Sequence, residues 1–513
     1  MLQVKNLTLH HLMDLKEIVK ALSFTVNPGD KVAIIGEEGN GKSTLLKWIM
    51  GNESIESYIQ ADGEVINQFS STAYLPQSLH REFEELTLDK YFFGQSDVVD
   101  MDYQQLYQVV GQLGFDADSL TSSQRLSSLS GGEKIKVQLL KALAKDPDLL
   151  LLDEPSNDLD LDTVRWLEHF IKSTPLTVMF ISHDESLLAA TATKVIQLEL
   201  LQHKTIPVAT VSNLSYKEYI EQREARFEHQ SQVANKQREE HQKQMEKYRQ
   251  IESSVHHAQG SVSRAAAAEG RLLKKKMHAV KSMGRRFERE KENFEDIPIQ
   301  EDAILVKFSN TKPLPANKII LHLEDANIKL GDKVLAQSLN LLVRTPQKIG
   351  IIGKNGVGKS TLLKQLWTTL SQRTDIEAGY MPQNYADYLD LEDTPVEFLS
   401  ETGESDERTQ VMTYLGSMRF TADEMHHSIQ SLSGGQQAKL LLLKIDLSGQ
   451  NVLLLDEPTR NFSPLSQLEL RKLFKKFEGS IITVSHDRKF LKEVCDQVYE
   501  LREDELVRVE AQL

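Results

Sequence analysis

Cysteine is almost missing from this chain. Its 513 residues include one, Cys495, which excludes a disulfide framework and any cysteine-rich zinc or iron–sulfur site and fits a reducing compartment. No apolar run approaches the roughly 18 residues that a membrane-crossing helix needs. The stretch Met1 to His10 has neither a basic segment nor an apolar core, so no signal peptide is expected. An excess of positive charge is missing as well. The formal net charge is -15, which argues against a diffuse nucleic-acid coat and leaves room only for a local basic element. What remains is ordinary for globular protein, with 40% hydrophobic and 26% charged residues. At roughly 150 residues per domain the length suggests two to four domains. Either half alone is long enough to bury a core.

The chain repeats itself. Gly36-Glu37-Glu38-Gly39-Asn40-Gly41-Lys42-Ser43 has a partner in Gly353-Lys354-Asn355-Gly356-Val357-Gly358-Lys359-Ser360. Leu129-Ser130-Gly131-Gly132-Glu133 is matched by Leu432-Ser433-Gly434-Gly435-Gln436, Leu149–Pro155 by Leu453–Pro458, and Ser182-His183-Asp184 by Ser485-His486-Asp487. The offset is 317 between the lysines and 303 for the later motifs. Four motifs in one order at a nearly constant offset indicate a duplicated domain. The expected boundaries are 1–205 for the first copy, 206–317 for a linker and 318–513 for the second copy.

The linker differs in character. From Ser215 to Glu295 there is no proline, and Gln, Glu, Lys, Arg and Ala dominate, which reads as long solvated helices. Polar residues and Gly260 cluster over Ser253–Ser263. A helical hairpin is predicted, with one helix from about Ser215 to Ile251, roughly 55 Å long, and a second from about Arg264 to Phe294. Residues 213–297 hold 18 basic and 14 acidic side chains, leaving a charge of -19 on the rest of the chain. Within 251–286 the count is 8 against 2, mostly from Lys274, Lys275, Lys276, Lys281, Arg285 and Arg286. A basic hairpin on an acidic protein points to a polyanionic target more than to a solvated coiled-coil face. Tyr216, Tyr219, Phe227 and Tyr248 read as packing residues and not as base-stacking ones.

Each Gly-x4-Gly-Lys-Ser loop follows an apolar run and precedes a helix-like segment, the context a phosphate loop requires. Gly36, Gly39, Asn40, Gly41, Lys42, Ser43 and Thr44 would cradle phosphates, as would Gly353, Asn355, Gly356, Gly358, Lys359, Ser360 and Thr361. Backbone N–H groups and the helix dipole attract the anion there. Lys42 and Lys359 would neutralise the β- and γ-phosphates, and Ser43 and Ser360 would ligate Mg²⁺. Leu149–Asp153 reads as a buried parallel strand. Asp153 and Asp456 would hold Mg²⁺, and Glu154 and Glu457 would act on the attacking water. Gln77 and Gln383 suit Mg²⁺ and water contact. His183 and His486, each ending a β-rich run, suit donation to the γ-phosphate from a neutral imidazole.

In order, the phosphate loop, Gln loop, LSGG, LLLLDEP and Ser-His-Asp resemble the ATP-binding cassette family. LSGG discriminates it from other phosphate-loop ATPases. The resemblance implies an α/β fold with two tandem P-loop cassettes joined by a helical hairpin. It also implies that each LSGG closes on ATP held by the opposite cassette. One site would join Lys42, Ser43, Gln77, Asp153, Glu154 and His183 with Ser433, Gly434 and Gly435. The other would join Lys359, Ser360, Gln383, Asp456, Glu457 and His486 with Ser130, Gly131 and Gly132. Two cassettes, no membrane segment and a helical linker look like the ABC-F subfamily. That likeness implies a cytoplasmic ATPase using ATP and Mg²⁺, monomeric with its own cassettes paired. Its linker 213–297 would face large-subunit rRNA and P-site tRNA of the bacterial ribosome, with no DNA partner. The run Asp456-Glu457-Pro458-Thr459-Arg460-Asn461-Phe462-Ser463-Pro464 resembles the Vga/Lsa-type ribosome-protection proteins. They confer resistance to lincosamides, streptogramin A and pleuromutilins.

Some features depart from the family pattern. Ser463 stands where the first copy has Asp160, so the sites are expected to hydrolyse unequally. Glu37 and Glu38 lie inside the first loop, where acid beside a triphosphate is unfavourable unless it points to solvent, so weaker nucleotide binding is expected there. No aromatic residue for adenine precedes either loop, and His10 or His11 is a poor substitute, which leaves ATP and GTP both open. Gln77 to Leu129 and Gln383 to Leu432 span 52 and 49 residues, which argues against an arm insertion in the first copy. The 27 residues after His486 suggest no C-terminal extension. A general translation factor without a resistance role remains an alternative. So does the fused ATPase subunit of a membrane importer, although such subunits lack a long basic insert. DNA-repair cassettes carry zinc cysteines or far longer coiled coils. A hairpin that only tethers the cassettes is the last alternative.

Overall fold

The structure, a computed structural model, describes all residues except 14, 52, 80, 95–102, 114, 158, 202–204, 262–266, 293–305, 307, 309, 331–332 and 510–513. Met1–Tyr216 and Glu301–Leu513 form one compact unit, and Lys217–Gln300 form another.

The first unit holds two α/β halves built on the same plan. In chain order the strands of the first are β1 (Leu2–His11), β2 (Glu17–Val26), β3 (Lys31–Ile35), β4 (Ile59–Asn67), β5 (Thr72–Leu75), β6 (Leu149–Asp153), β7 (Thr177–Ile181), β8 (Lys194–Leu200) and β9 (Ile206–Ser212). β2, β1 and β4 form an antiparallel sheet. The main sheet runs β5-β6-β7-β3-β8-β9, parallel except for β9. The second half has β10 (Ile319–Leu330), β11 (Lys333–Arg344), β12 (Lys348–Ile352), β13 (Ala378–Met381), β14 (Val452–Asp456), β15 (Ser480–Val484), β16 (Gln497–Leu501) and β17 (Leu506–Val509). Its main sheet, β13-β14-β15-β12-β16-β17, repeats the first order.

Strands β3, β6 and β7 are buried at every residue. That follows from near-continuous apolar runs covered on both faces, the mark of a parallel sheet. Each phosphate loop leaves the carboxyl end of a central strand, β3 or β12. This is the edge where open α/β sheets place ligands.

The second unit is built from two helices, Tyr216–Ser261, whose first residue belongs to the first unit, and Ala267–Glu292, of 46 and 26 residues. The first is about 69 Å long at 1.5 Å per residue. It runs ten residues past the expected end at Ile251. Serine, histidine and glutamine carry only modest helix penalties, no proline interrupts them, and Gly260 costs no more than about 1 kcal/mol. The last two residues of the expected break, 262–263, lie outside the described residues. The helices pack along a heptad seam. Ala234, His241 and Tyr248 recur every seven residues on one, and Val280 and Phe287 on the other. Phe287 meets His241 and Tyr248 edge-on, with ring centres 6.5 and 6.4 Å away. Gly284 leaves room for Tyr248, since a Cβ there would lie 2.9 Å from its hydroxyl. Tyr216 and Tyr219 are buried, as packing residues should be. Lys274, Lys275, Lys276, Lys281, Arg285 and Arg286 are all exposed.

Phe287→Ala should therefore loosen the hairpin by about 3 kcal/mol. Hydrogen exchange across 241–248 in the full chain should accelerate while exchange in β3 and β12 stays unchanged. Unaltered exchange at the seam would remove Phe287 from its role.

Candidate active site

Glycine is compulsory at the start of each loop. Gly36 has φ 151°, and a Cβ there would fall 2.3 Å from the Leu198 carbonyl oxygen. Gly353 repeats this at φ 150° and 2.6 Å from the Leu501 oxygen. The loops curl back so that Lys42 Nζ donates to the Gly36 and Glu37 carbonyls at 2.8 and 2.9 Å. Lys359 Nζ donates to Gly353 and Lys354 at 2.8 and 3.0 Å. Asn40 pins the first loop through a bond to Leu198 O at 2.9 Å. Gly41 and Gly358, at φ 82° and 105°, cap the helices that carry Ser43 and Thr44, and Ser360 and Thr361. Gly39 and Gly356 also have positive φ.

Ser43 Oγ donates to Asp153 Oδ1 at 2.9 Å, and Tyr74 donates to Oδ2 at 2.9 Å. The Ser360 hydroxyl bonds Asp456 in the same way. This donor set, a hydroxyl and a carboxylate at a strand end, is the hard oxygen pair that suits Mg²⁺. In the second half Asp456 Oδ1 and Glu457 Oε1 are buried without a hydrogen-bond partner, as oxygens awaiting a cation or water would be. Glu154 and Glu457 hold left-handed backbone, at φ 50° and 52°. Such strain persists only where the surroundings enforce it.

The two glutamates differ in environment. His183 Nε2 lies 3.2 Å from Glu154 Oε1, and Gln77 Nε2 donates to Oε2 at 2.8 Å. Asn157 donates to Oε2 as well. Burial pushes the Glu154 carboxyl up, but His183, Lys42 and Asn157 outweigh it and hold it at about 2. Glu457 accepts the His486 backbone N–H at 3.2 Å, with the His486 Nε2 farther off at 3.6 Å from Oε1, and burial, with Asp456 beside it, pushes it up to about 8. Burial and Lys359 push His486 down to about 4. The expected neutral imidazole therefore fits His486. His183 faces an acceptor on each side, since its Nδ1 lies 2.9 Å from the Phe462 carbonyl of the other half.

The structure brings the Ser433 signature to the first loop. Gly435 N donates to Glu38 Oε2 at 3.3 Å, Ser463 Oγ donates to Glu37 Oε1 at 2.8 Å, and Ser466 bonds the same oxygen. Glu37 thus does not turn to solvent. Burial opposes its ionisation, and Lys439 with the two serines overcomes this. The other composite is looser. A cavity of about 580 Å³ lies at Lys359, Ser360, Gln383, Asp456, Glu457 and His486. From the first half Ser156, Asn157, Leu159 and His183 line it, and Ser130, Gly131 and Gly132 do not. There the equivalents of Glu37 and Ser463 are Lys354 and Asp160, and Asp160 caps its own helix at Thr163 N. Ser130 and Ser433 head their helices as capping boxes.

Sequence reasoning passed over Tyr74, Asn157 and the Phe462 carbonyl. Tyr74 had a signal, since Tyr380 occupies the same place three residues before the paired glutamine. The Phe462 carbonyl had none.

The two loops should differ in nucleotide affinity. Lys359→Ala should reduce binding of a fluorescent adenine nucleotide more than Lys42→Ala, because the open cavity lies at Lys359. Equal losses would remove the asymmetry. A second expectation concerns Asp487, which caps the helix that follows by accepting from Phe490 N at 3.0 Å. Burial raises its carboxyl to about 6, against Arg471, which lowers it. A raised acid favours the folded state while protonated, and that stability is lost as pH rises from about 4 through 6. Asp487→Asn keeps the cap, so its advantage over the parent in urea unfolding should grow from pH 4.5 to pH 7.5 by about 2 kcal/mol. A constant difference would refute this.

The ABC transporter family profile matches residues 19–157 and 336–460. Among curated proteins, ABC transporter F family member 5 of Arabidopsis thaliana is 28% identical, over 95% of this chain and 73% of its own length. Probable ATP-binding protein YheS of Escherichia coli (strain K12) is 29% identical, over 93% and 75%. Among solved structures, an archaeal ribosome recycling factor aABCE1, in complex with the ribosomal stalk protein aP1, superposes with a TM-score of 0.60 at 16% identity. That match covers 98% of this chain and 90% of the other. RNase-L Inhibitor gives 0.57 at 17%, covering 98% and 89%. Among the described residues no helix is long and apolar enough to cross a membrane. With two duplicated cassettes, and ABC-F proteins similar along nearly its whole length, the chain belongs to the ABC transporter family and is an ATPase.

Proposed function

We propose that this ATPase binds the bacterial ribosome in its ATP-bound state and protects or rescues it. The observation that carries the reading is the hairpin between the cassettes, whose exposed face is basic on an otherwise acidic chain. Such a face suits phosphate backbones, here rRNA of the large subunit and P-site tRNA. The relatives include ABC-F proteins. Two fold neighbours are ribosome partners, an archaeal ribosome recycling factor with a stalk protein and a ribosome-bound ABCE1 with Pelota. The finer reading is displacement of lincosamides, streptogramin A or pleuromutilins by the hairpin, in the manner of Vga/Lsa-type proteins. A general translation role is the alternative. The proposed divisions remain 1–205, 206–317 and 318–513, in a cytoplasmic monomer.

In this reading Lys42 and Lys359 neutralise phosphate charge, and the loop amides orient it. Ser43 with Asp153, and Ser360 with Asp456, would hold Mg²⁺, which would supply further positive charge to the triphosphate. Glu154, which stays ionised, accepts the proton of the attacking water, with Gln77 orienting it; Glu457, whose carboxyl burial raises to about 8, fills the same role in its ionised form, with Gln383 orienting the water. His183 and His486 hold the terminal phosphate. Ser433, Gly434 and Gly435 serve the first loop, and Ser130, Gly131 and Gly132 the second. Stabilising charge as it develops is the main part of phosphoryl-transfer catalysis.

Glu154→Gln with Glu457→Gln removes the proton acceptors and should hold the ATP-closed state. This variant should sediment with bacterial ribosomes through a sucrose cushion when ATP is present and not without it. Reversing Lys274, Lys275 and Lys276 to Glu should abolish that. Nucleotide binding without co-sedimentation would overturn the ribosome reading, and sedimentation unaffected by the reversal would make the hairpin a tether.

A further inference from the structure

The two cassettes meet through a pair of ion pairs whose charges are exchanged between the copies. The 303-residue offset relates helix Leu161–Ser173 to Pro464–Lys476, and Glu185–Thr191 to Arg488–Val494. It equates Glu168 with Arg471, and Glu185 with Arg488. In the structure Glu168 Oε2 lies 2.7 Å from Arg488 Nη2, and Glu185 Oε2 lies 2.7 Å from Arg471 Nη2. These are one contact made twice about a local pseudo-twofold axis. The first cassette supplies both acids and the second both bases. Lys489 adds a second cation to Glu185 at 3.0 Å, and Glu493 accepts from Arg471 Nε at 3.2 Å. The offset equates these two with Ser186 and Ala190, so the reinforcement exists only in the second cassette.

We propose that this quartet is a pairing code, a surface that fits a first cassette to a second cassette and rejects one of its own kind. In the same arrangement two first cassettes would set Glu168 against Glu185 twice. Two second cassettes would set Arg471 against Arg488 twice. Arg471 and Glu185 are 2% and 7% exposed, so salt screens them little and an unpaired charge there is costly. Buried ion pairs often contribute no more stability than apolar residues of the same size. What the ions supply here is discrimination between partners. Asp184 and Asp487 add acid from both sides of the same axis, and so add to the need for the two arginines. The code closes off assembly of two chains through like cassettes.

The test uses charge-reversed full-length chains. Arg471→Glu with Arg488→Glu leaves four acids at the contact, and Glu168→Arg with Glu185→Arg leaves four bases. All four substitutions together restore opposite charges in reverse. Circular dichroism should report folded cassettes in every case. Small-angle scattering should show both two-residue variants expanded, and ATPase rates should fall by on the order of tenfold or more. The fourfold variant should be more compact and more active than either two-residue variant, though short of the parent, because Lys489, Glu493, Asp184 and Asp487 keep their original charges. If a two-residue variant does not fold, Glu168→Gln with Arg488→Gln serves instead. It removes both partners of the more exposed pair and should stay closed. Two-residue variants as compact and active as the parent would overturn the code. So would a folded fourfold variant no more compact than the two-residue variants, or an expanded double-glutamine variant.

Discussion

No side chain fits at Gly36 or Gly353, and much of the site depends on that exclusion. The loop backbone passes so close to the oxygens of Leu198 and Leu501 that a Cβ would overlap them. This proximity joins the loop to β8 or β16, the neighbour of the central strand. It also turns the loop carbonyls toward the lysine amines of Lys42 and Lys359. Once the loop is fixed, its helix sets the serine against the aspartate that ends β6 or β14. The next residue, Glu154 or Glu457, is held at positive φ by a backbone bond to β7 or β15, from Glu154 N to Ile181 O and from Glu457 N to Val484 O. A packing constraint at one atom thus propagates across strands to the acid that would receive a proton.

The duplicated backbone carries two different electrostatic arrangements. Around Glu154 there are three side-chain donors, and the carboxylate stays ionised. Around Glu457 there is one backbone donor, and burial prevails. The difference traces to the residue three positions on, Asn157 in one copy and Arg460 in the other, and to the second acceptor that Phe462 offers His183. Identical strands therefore do not imply equal reactivity. The cross-cassette bonds made by Glu37 and Glu38 follow the same logic. Protein hydroxyls and an amide meet the first loop directly, and at the second loop a cavity stands in that place.

Much of the plan could be read from the residues. Apolar runs ending in Asp153 and Asp456 are buried parallel strands because only fully covered strands tolerate such sequences, and the repeated offset announced the duplication. The composite contacts were harder to read. Glu37 read as an acid that would weaken nucleotide binding unless it turned to solvent, since a single loop shows nothing of the serines Ser463 and Ser466 that meet it from more than 400 residues away. The Phe462 carbonyl is backbone, so side-chain identity carries no trace of its bond to His183. The helix overran its expected end because polar residues mark a turn only when something stops the backbone hydrogen bonds, and Ser253–Ser261 contains no such stop.

Net charge is a poor guide to what such a chain attracts. At physiological ionic strength a charge is felt over about 8 Å. The helix Ala267–Glu292 is about 39 Å long at its 26 residues. A polyanion within about 8 Å of Lys274, Lys275, Lys276 and Lys281 meets chiefly the local field of these cations. The acidic balance of the rest of the chain then acts as a filter. Under the proposed ribosome reading it would discourage contact with nucleic acid away from the helical insert, so that one basic face would set both the affinity and the orientation of binding. Opposite charges held on separate elements of one chain are in this respect more selective than a uniformly basic surface, which would bind any backbone phosphate in any pose.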